Sequence, residues 1–420
     1  MDQYGLTASM RCVMISTSSS IWPTTRAVAF QQQGAAISLV SRLPYAFCST
    51  LKHKAQATSV SLSVSVRCQG GVITSAKPAP VARPVIKVDE GGGTVMNTNV
   101  LTPVYMDFLQ RLSFVNSRES SYPEQDTVTA RLTAICGSYL PERYISLGAT
   151  MGHIVYSYHP VDLQVKIGHF TALLLMVDDL AGSLTGVARE RYLEDMRLFQ
   201  MKFTNPEGYA TRYPGRGDLH EVLEKYIHYL KTDLNPFFPT DLRLQTLMIK
   251  SVLDFMEGNL QEQHYEEHPI EYTADMPLLP RFLRYKSGMS EPYAHFCIMH
   301  TMSSGSASQD EHFFYNSLYP MVPDLVDVFD FGNDVMSFYK EIQNGEDSIG
   351  ILNHSRIHNL TPLQSLRDSM ETVIHSRTRL MALADRTGSE EMKERIVSLF
   401  QEYLIWHVTN KRYRLDEILS

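Results

Sequence analysis

The sequence predicts an all-α fold, and three observations carry the expectation. From about Val100 onward apolar residues recur at intervals of three and four, no stretch alternates at period two as a half-buried strand would, and the connections between periodic segments are short. The length allows it: 420 residues, 44% hydrophobic and 20% charged, are enough for one large core or two ordinary ones.

The chain begins with a different kind of sequence. Between Gln3 and Val88 there is no Asp or Glu, while Ser, Thr, Ala and Val dominate with scattered Arg and Lys, and the section ends in KPAPVARPVIK and EGGGT. An acid-poor N-terminus containing Arg and Ser can be an organellar transit peptide, but such peptides are usually amphipathic helices and this one is broken by Pro and Gly. Residues 1–98 therefore read as a low-complexity, disordered extension, and residues 99–420 as one domain.

That domain opens with YMDFLQRLSF (105–114), YISLGATMGHIVYSY (144–158), DLQVKIGHFTALLLMVDD (162–179) and DLHEVLEKYIHYLKTDL (218–234). LRLQTLMIKSVLDFMEGNLQEQ (242–263), LPRFLRYKSGM (279–289) and FFYNSLYPMVPDLVDVFDFGNDVMSFYKEIQ (313–343) continue the same spacing. TPLQSLRDSMETVIHSRTRLMALAD (361–385) begins with Thr361 as an N-cap and Pro362 in the first turn, a combination that starts helices, and KERIVSLFQEYLIWHVTNKRYRL (393–415) completes the set. There is no internal repeat. Roughly ten helices are too many for a simple four-helix bundle and enough to enclose a cavity.

Charge and cysteine usage exclude several functions. A net charge of −8 and a pI near 6.0 give no electrostatic footprint for nucleic acid, and no Lys/Arg run suggests a polybasic membrane patch. The longest apolar stretch, FTALLLMV (170–177), is far too short to cross a bilayer, so the expectation is a cytoplasmic protein without stable membrane insertion. Five cysteines (Cys12, Cys48, Cys68, Cys136, Cys297), odd in number and widely spaced, suggest neither a disulfide framework nor a zinc site.

Two acidic or polar features stand out. In FGNDVMSFYKEI (331–342), Asn333, Ser337 and Glu341 sit at i, i+4 and i+8 and would line one stripe of a helix. Three inward oxygens are either a buried polar network or half of a site for a hard cation such as magnesium. In TALLLMVDDLAGS (171–183), Asp178 and Asp179 follow an apolar run, where the macrodipole and their mutual repulsion both call for a positive neighbour. Alone, that pair either marks where the helix emerges into water or forms a magnesium site at the mouth of a bundle.

Together the motifs say more. An acidic pair after an apolar helix, followed 155 residues later by N-D-x-x-S-x-x-x-E, resembles the class I terpene cyclases, whose two metal motifs face each other across an all-α bundle. SVLDFMEGNLQEQ, FLRYKSGM, NDVMSFYKE and WHVTNKRYRLDEI are similar to the corresponding blocks of the fungal trichodiene synthase-like sesquiterpene cyclases, in order and with compatible spacing over about residues 100–420.

The resemblance implies that residues 99–420 form a single class I terpenoid synthase bundle enclosing an active-site cavity. It implies a magnesium-dependent sesquiterpene synthase that ionises farnesyl diphosphate, releases diphosphate and cyclises the carbocation to a hydrocarbon or alcohol. Three magnesium ions are expected with diphosphate bound: Asp178 would hold two, and Asn333, Ser337 and Glu341 the third. Arg284 matches the diphosphate-sensing arginine, Lys340 the diphosphate-contacting lysine, and Arg412 and Tyr413 the C-terminal Arg-Tyr pair that acts as a lid. Cations placed where negative charge develops on the leaving diphosphate lower the barrier without a covalent step. Arginine supplies a planar fork for phosphate oxygens and lysine a point charge.

The implied partner is a small isoprenyl diphosphate, with a homodimer left open. Phe170, Phe255, Phe282, Tyr285 and Trp406, in or beside the matched blocks, are candidates for ring faces that steady a cation. The sequence departs from the family's pattern at D-D-L-A-G, where Gly182 stands in place of a frequent third acid, so the metal role is assigned to Asp178, with a contribution from Asp179 left open. Other readings are a chain-elongating prenyltransferase, usually served by two Asp-rich motifs where this sequence has one, and a non-catalytic helical binding protein.

Overall fold

The computed structural model describes residues 98–115, 122, 124–234, 242–303 and 313–419. The expectation for the N-terminal extension falls, up to residue 97, outside the described residues. Among those described there is no strand. They form fifteen α-helices: α1 (Thr98–Arg111), α2 (Gln125–Cys136), α3 (Glu142–Thr150), α4 (Val161–Ser183), α5 (Gly186–Thr204), α6 (Pro206–Arg212), α7 (Glu221–His228), α8 (Leu242–Glu267), α9 (Leu279–Ser287), α10 (Ser290–Ser303), α11 (Val322–Gln343), α12 (Gly350–His358), α13 (Pro362–Thr387), α14 (Glu390–Thr409) and α15 (Asp416–Leu419). The all-α expectation holds, with more and shorter helices than the roughly ten expected.

Two helices form the interior. Helix α4 is buried along most of its length: Leu163, Val165, Ile167, Phe170, Leu173, Leu174 and Val177 are all buried, and so are the polar Gln164, His169 and Thr171, as expected for a helix enclosed by others. Its contact with α3 is made backbone to backbone: a Cβ at Gly148 would collide with the carbonyl of Gly168, and one at Gly152 with that of Gln164. Helix α11 is the second interior element, packed between α10 and α13, with Leu325, Val328, Phe329, Val335, Met336 and Phe338 buried. Rings join the two. Phe170 on α4 meets Tyr293 on α10 at 5.8 Å, Tyr293 meets Phe329 on α11 at 5.6 Å, and Phe329 meets Tyr403 on α14 at 5.0 Å between centroids.

Local signals set the boundaries. Thr361 caps α13 through a reciprocal pair with Gln364, Pro362 occupies the first turn, and Gly388 ends the helix at φ 69°, a left-handed conformation that suits glycine. The segment 313–343, expected as one helix, is interrupted: a π turn at Phe314–Leu318 and a 3-10 turn at Tyr319–Met321 precede α11, because Pro320 and Pro323 cannot donate backbone bonds. The C-terminal segment breaks in the same manner. Helix α14 ends at Thr409, Asn410 caps the next turn by accepting from the Arg412 N–H, and Lys411–Tyr413 form a separate 3-10 turn. Helix α1 reaches this region and α11 from outside: Thr102 Oγ1 donates to the Ile418 carbonyl at 2.8 Å, and the Tyr105 hydroxyl to the Val335 carbonyl at 2.5 Å. Among the described residues no helix is long and apolar enough to cross a membrane.

Candidate active site

Asp178 and Asp179 lie within the last two turns of α4, where the apolar surround gives way to open space. Adjacent helical residues point about 100° apart, so the two carboxylates meet different neighbours. Asp179 is tied down: the Tyr144 hydroxyl donates to Oδ2 at 2.8 Å, Arg412 lies 3.6 Å from Oδ1, and Arg143 lies 3.9 Å from Oδ2. Asp178 makes no hydrogen bond or ion pair. It is exposed to solvent, while Glu262, Arg284 and Arg412 of other elements stand near enough to act on its charge. Loss of hydration, then the charges of Glu262 and Asp179, push its carboxyl up to about 7, against the pull of Arg412 and Arg284.

The second wall of the site is α11. Asn333, Ser337 and Glu341 share one stripe, as the spacing requires. Asn333 Oδ1 accepts from Arg284 at 3.3 Å, and its Nδ2 lies 3.4 Å from His407 Nε2 and 3.5 Å from the Tyr413 hydroxyl. Ser337 is 2% exposed; its Oγ makes no well-aligned hydrogen bond, although it lies close enough to the Glu341 carboxylate to favour its ionised form. Burial holds the Glu341 carboxyl above its usual range, with Lys340 and then Ser337 opposing. Lys340 Nζ is 3.4 Å from Glu341 Oε1.

Arg284, on α9, is the hub. Its Nε is 2.8 Å from Asp334 Oδ1, an ion pair whose N–H is not aligned on the oxygen, and a terminal nitrogen donates to the Asp330 carbonyl at 3.1 Å. The buried Asp330 carboxyl accepts from Ser290; burial pushes it up to about 7, against the opposing charge of Arg284 and that hydrogen bond.

The structure thus brings Asp178, Arg284, Asn333, Ser337, Lys340, Glu341, Arg412 and Tyr413 into one neighbourhood, with Arg412 reaching the α4 wall and Tyr413 the α11 wall. Sequence reasoning missed four participants. Glu262 on α8 faces Asp178 and Arg284 with its own carboxyl raised by burial, Asp330 and Asp334 hold Arg284, and His407 meets Asn333. Asp334, Glu262 and His407 stood inside the quoted motif and blocks, but no spacing gave them a role, and like Asp330 they are identified by their partners from distant helices.

Of the aromatic candidates, Phe170, Phe255 and Trp406 are buried. Phe282 and Tyr285 are not: at 55% and 46% exposed they lie on the outside of α9, because Arg284 takes its inward face. Trp406 instead stacks on Tyr403 and touches Tyr413 at 5.4 Å, extending the interior rings to the C-terminal turn.

The donor set suits a hard cation. Asp178, Asn333, Ser337 and Glu341 each offer a side-chain oxygen, and no protein donor takes the lone pairs of the buried Ser337 hydroxyl. Among the described residues no three His, Cys, Asp or Glu side chains converge into a metal cluster, since each wall supplies one carboxylate to the set and the rest is amide and hydroxyl.

The sequence profile of the family described as Trichodiene synthase (TRI5) matches residues 109–420. An (E)-beta farnesene synthase from Metarhizium brunneum is 25% identical over 275 residues, 65% of this chain and 74% of its own. A trichodiene synthase from Fusarium pseudograminearum is 27% identical over 191 residues, 44% of this chain and 48% of its own. Among solved structures, a linalool/nerolidol synthase from Streptomyces clavuligerus covers 68% of this chain and 96% of its own, at 12% identity and a TM-score of 0.48.

Proposed function

The chain belongs to the trichodiene synthase family, and from that premise we propose that it is a magnesium-dependent sesquiterpene cyclase that ionises farnesyl diphosphate. The observation that supports the reading best is the joining of two oxygen-bearing walls by one turn of chain, with Arg412 on Asp179 and Tyr413 on Asn333. Asp178 on one side and Asn333, Ser337 and Glu341 on the other would hold the metal. Bound magnesium would supply Lewis-acid stabilisation of the charge that develops on the diphosphate oxygens.

The protein's own groups do the rest. Arg284, Lys340, Arg412 and Tyr413 bind the diphosphate, Arg284 by a fork that the Asp334 pair orients. Phe170, Tyr293, Phe329, Tyr403 and Trp406 present ring faces along the interior and keep water from the cation. The proton lost from the final cation has an acceptor in the released diphosphate. Residues 99–420 constitute the cyclase domain in this reading, and residues 1–98 a dispensable extension. Deleting residues 1–95 is expected to leave turnover and Tm unchanged, and loss of either counts against that division.

Incubation with farnesyl diphosphate and magnesium, followed by gas chromatography, tests the activity. A cyclic sesquiterpene hydrocarbon or alcohol is expected. Longer prenyl diphosphates made when isopentenyl diphosphate is added would point to chain elongation, and diphosphate binding without any product to a non-catalytic binding protein.

A further inference from the structure

We propose that His407 is a positioning residue that turns the Asn333 amide so that its carbonyl oxygen, not its NH2, is what the site offers a hard cation. The proposal rests on the cyclase reading above.

His407 is fully buried on α14, its ring held between Tyr403, Trp406 and Tyr413 at centroid distances of 4.4, 4.8 and 4.4 Å. Its Nδ1 is 2.8 Å from the Tyr403 carbonyl. A carbonyl oxygen only accepts, so Nδ1 carries the proton and Nε2 keeps a lone pair. That lone pair faces Asn333 Nδ2 at 3.4 Å. At the other end of the amide, Arg284 approaches Asn333 Oδ1 at 3.3 Å, and a guanidinium has donors only.

The two neighbours therefore demand the same orientation. Reversing the amide would set oxygen against the Nε2 lone pair and NH2 against the guanidinium, two mismatches at once. The Tyr413 hydroxyl, at 3.5 Å, both donates and accepts and so does not decide. Each contact is long for a hydrogen bond, but they agree in sign, and an amide's orientation is set by such agreement. A cation that binds through oxygen would lose this ligand if the amide turned over, because nitrogen of an amide is not a donor to it. Arg284 also contacts Asn333, but only from the oxygen end, where it would itself engage the diphosphate. His407 is the partner that holds the nitrogen end.

Binding of Mn2+, a paramagnetic hard cation, in the presence of inorganic diphosphate and read by EPR, tests this without turnover. His407→Phe keeps a ring in the aromatic cage and removes the acceptor; it should raise the Mn2+ concentration for half-saturation by about 10- to 100-fold, the usual effect of losing a partner behind a ligand. His407→Gln returns an accepting oxygen and should recover affinity to within about threefold of wild type. An affinity unmoved by His407→Phe, or lost equally in both variants, overturns the proposal, since a packing role would lower Tm in both and distinguish neither. If His407→Phe does not fold, 15N-histidine NMR of the wild-type protein still decides: Nδ1 of His407 should be protonated and Nε2 not, and the opposite tautomer overturns it. The two readings fail separately. A wild-type protein that binds Mn2+ and diphosphate but makes no terpene defeats the cyclase reading, whereas normal turnover with Mn2+ affinity unchanged in His407→Phe defeats only this inference.

Discussion

On α4, the neighbours Asp178 and Asp179 divide into a tied and an untied carboxylate. Tyr144, Arg143 and Arg412 hold Asp179, and nothing holds Asp178. On α11 the same division appears along a stripe: Arg284, His407 and Tyr413 surround Asn333, whereas Ser337 one turn on has no well-aligned hydrogen bond and only Glu341 of its own helix beside it. The untied groups differ in kind. Asp178 is an acid whose ionisation is opposed by lost hydration and then by neighbouring acids, so a cation there relieves both; Ser337 is neutral and buried, so a cation there satisfies only a lone pair. The α4 wall should therefore dominate the energetics of the metal site, and the α11 wall its geometry.

The largest effect expected from this comparison is at Asp178. Asp178→Asn should lower turnover of farnesyl diphosphate by at least ~100-fold with the circular dichroism spectrum unchanged, because it removes charge where the developing diphosphate charge is met. Asp179→Asn disturbs a group already paired and should cost no more than about tenfold. A fatal Asp179→Asn beside a harmless Asp178→Asn would reverse the assignment of the α4 wall.

How far sequence alone carries this picture depends on where the partner of each residue lies. Helices α4, α8, α11 and α13 were legible because their apolar periodicity is long, and the stripe Asn333–Ser337–Glu341 because helical spacing alone places it. Helices α2, α5, α6, α10, α12 and α15 were not marked: α2 and α5 carry many polar residues with little segregation, α10 is apolar on most sides, and α6, α12 and α15 are short. The same limit applies to the site. Arg284 was identified by its block, but that Asp330 and Asp334 hold it, or that Glu262 faces Asp178, are facts about contacts between helices separated by tens of residues. Phe282 and Tyr285 were misplaced because a block match shows which residues are near and not which face they occupy.

The next effect tests the α11 wall. Ser337→Ala should raise the magnesium concentration for half-maximal rate by about tenfold and shift the product mixture, since a displaced cation changes where the substrate chain begins to fold. Tm should stay within about 1 °C of wild type, because the hydroxyl removed is buried without a well-aligned hydrogen bond, so its desolvation cost offsets what its contact with Glu341 contributes. A lowered Tm with an unchanged magnesium titration would instead make the stripe a buried polar network.

A smaller effect separates the walls by pH. Asp178 is raised from its ordinary value of 3.8 to about 7 in the metal-free protein. Between those values the unfolded chain has released a proton that the folded chain keeps, so this group's contribution to stability falls as pH rises through that window. Asn carries no such penalty. Without metal, Asp178→Asn should gain on wild type from pH 4 to pH 8, reaching an advantage of about 1–2 °C in Tm once the solvent access of Asp178 is allowed for. Asp330, also raised to about 7, is present in both proteins and cancels. A difference in Tm that is flat with pH would mean that Asp178 is neither stripped of hydration nor crowded by acids as the structure places it.

The smallest effect is expected at Gly182, and its smallness is informative. A Cβ there meets nothing within 4 Å, and the position is exposed in the last turn of α4, so Gly182→Asp adds a third carboxylate without strain. Replacing glycine in a helix is favourable by a few tenths of a kcal/mol, while an acid at a helix C-terminus is unfavourable by about 0.3–1 kcal/mol, so Tm should move by no more than about 1 °C. If Asp178 alone carries the metal role on this wall, the magnesium requirement should also stay within about twofold of wild type. A tenfold lower requirement would show that the wall is limited by the missing acid. In that case the energetic dominance assigned to α4 comes from the number of its carboxylates and not from the one left untied, and Asp179→Asn should then cost far more than the tenfold expected of a group already paired.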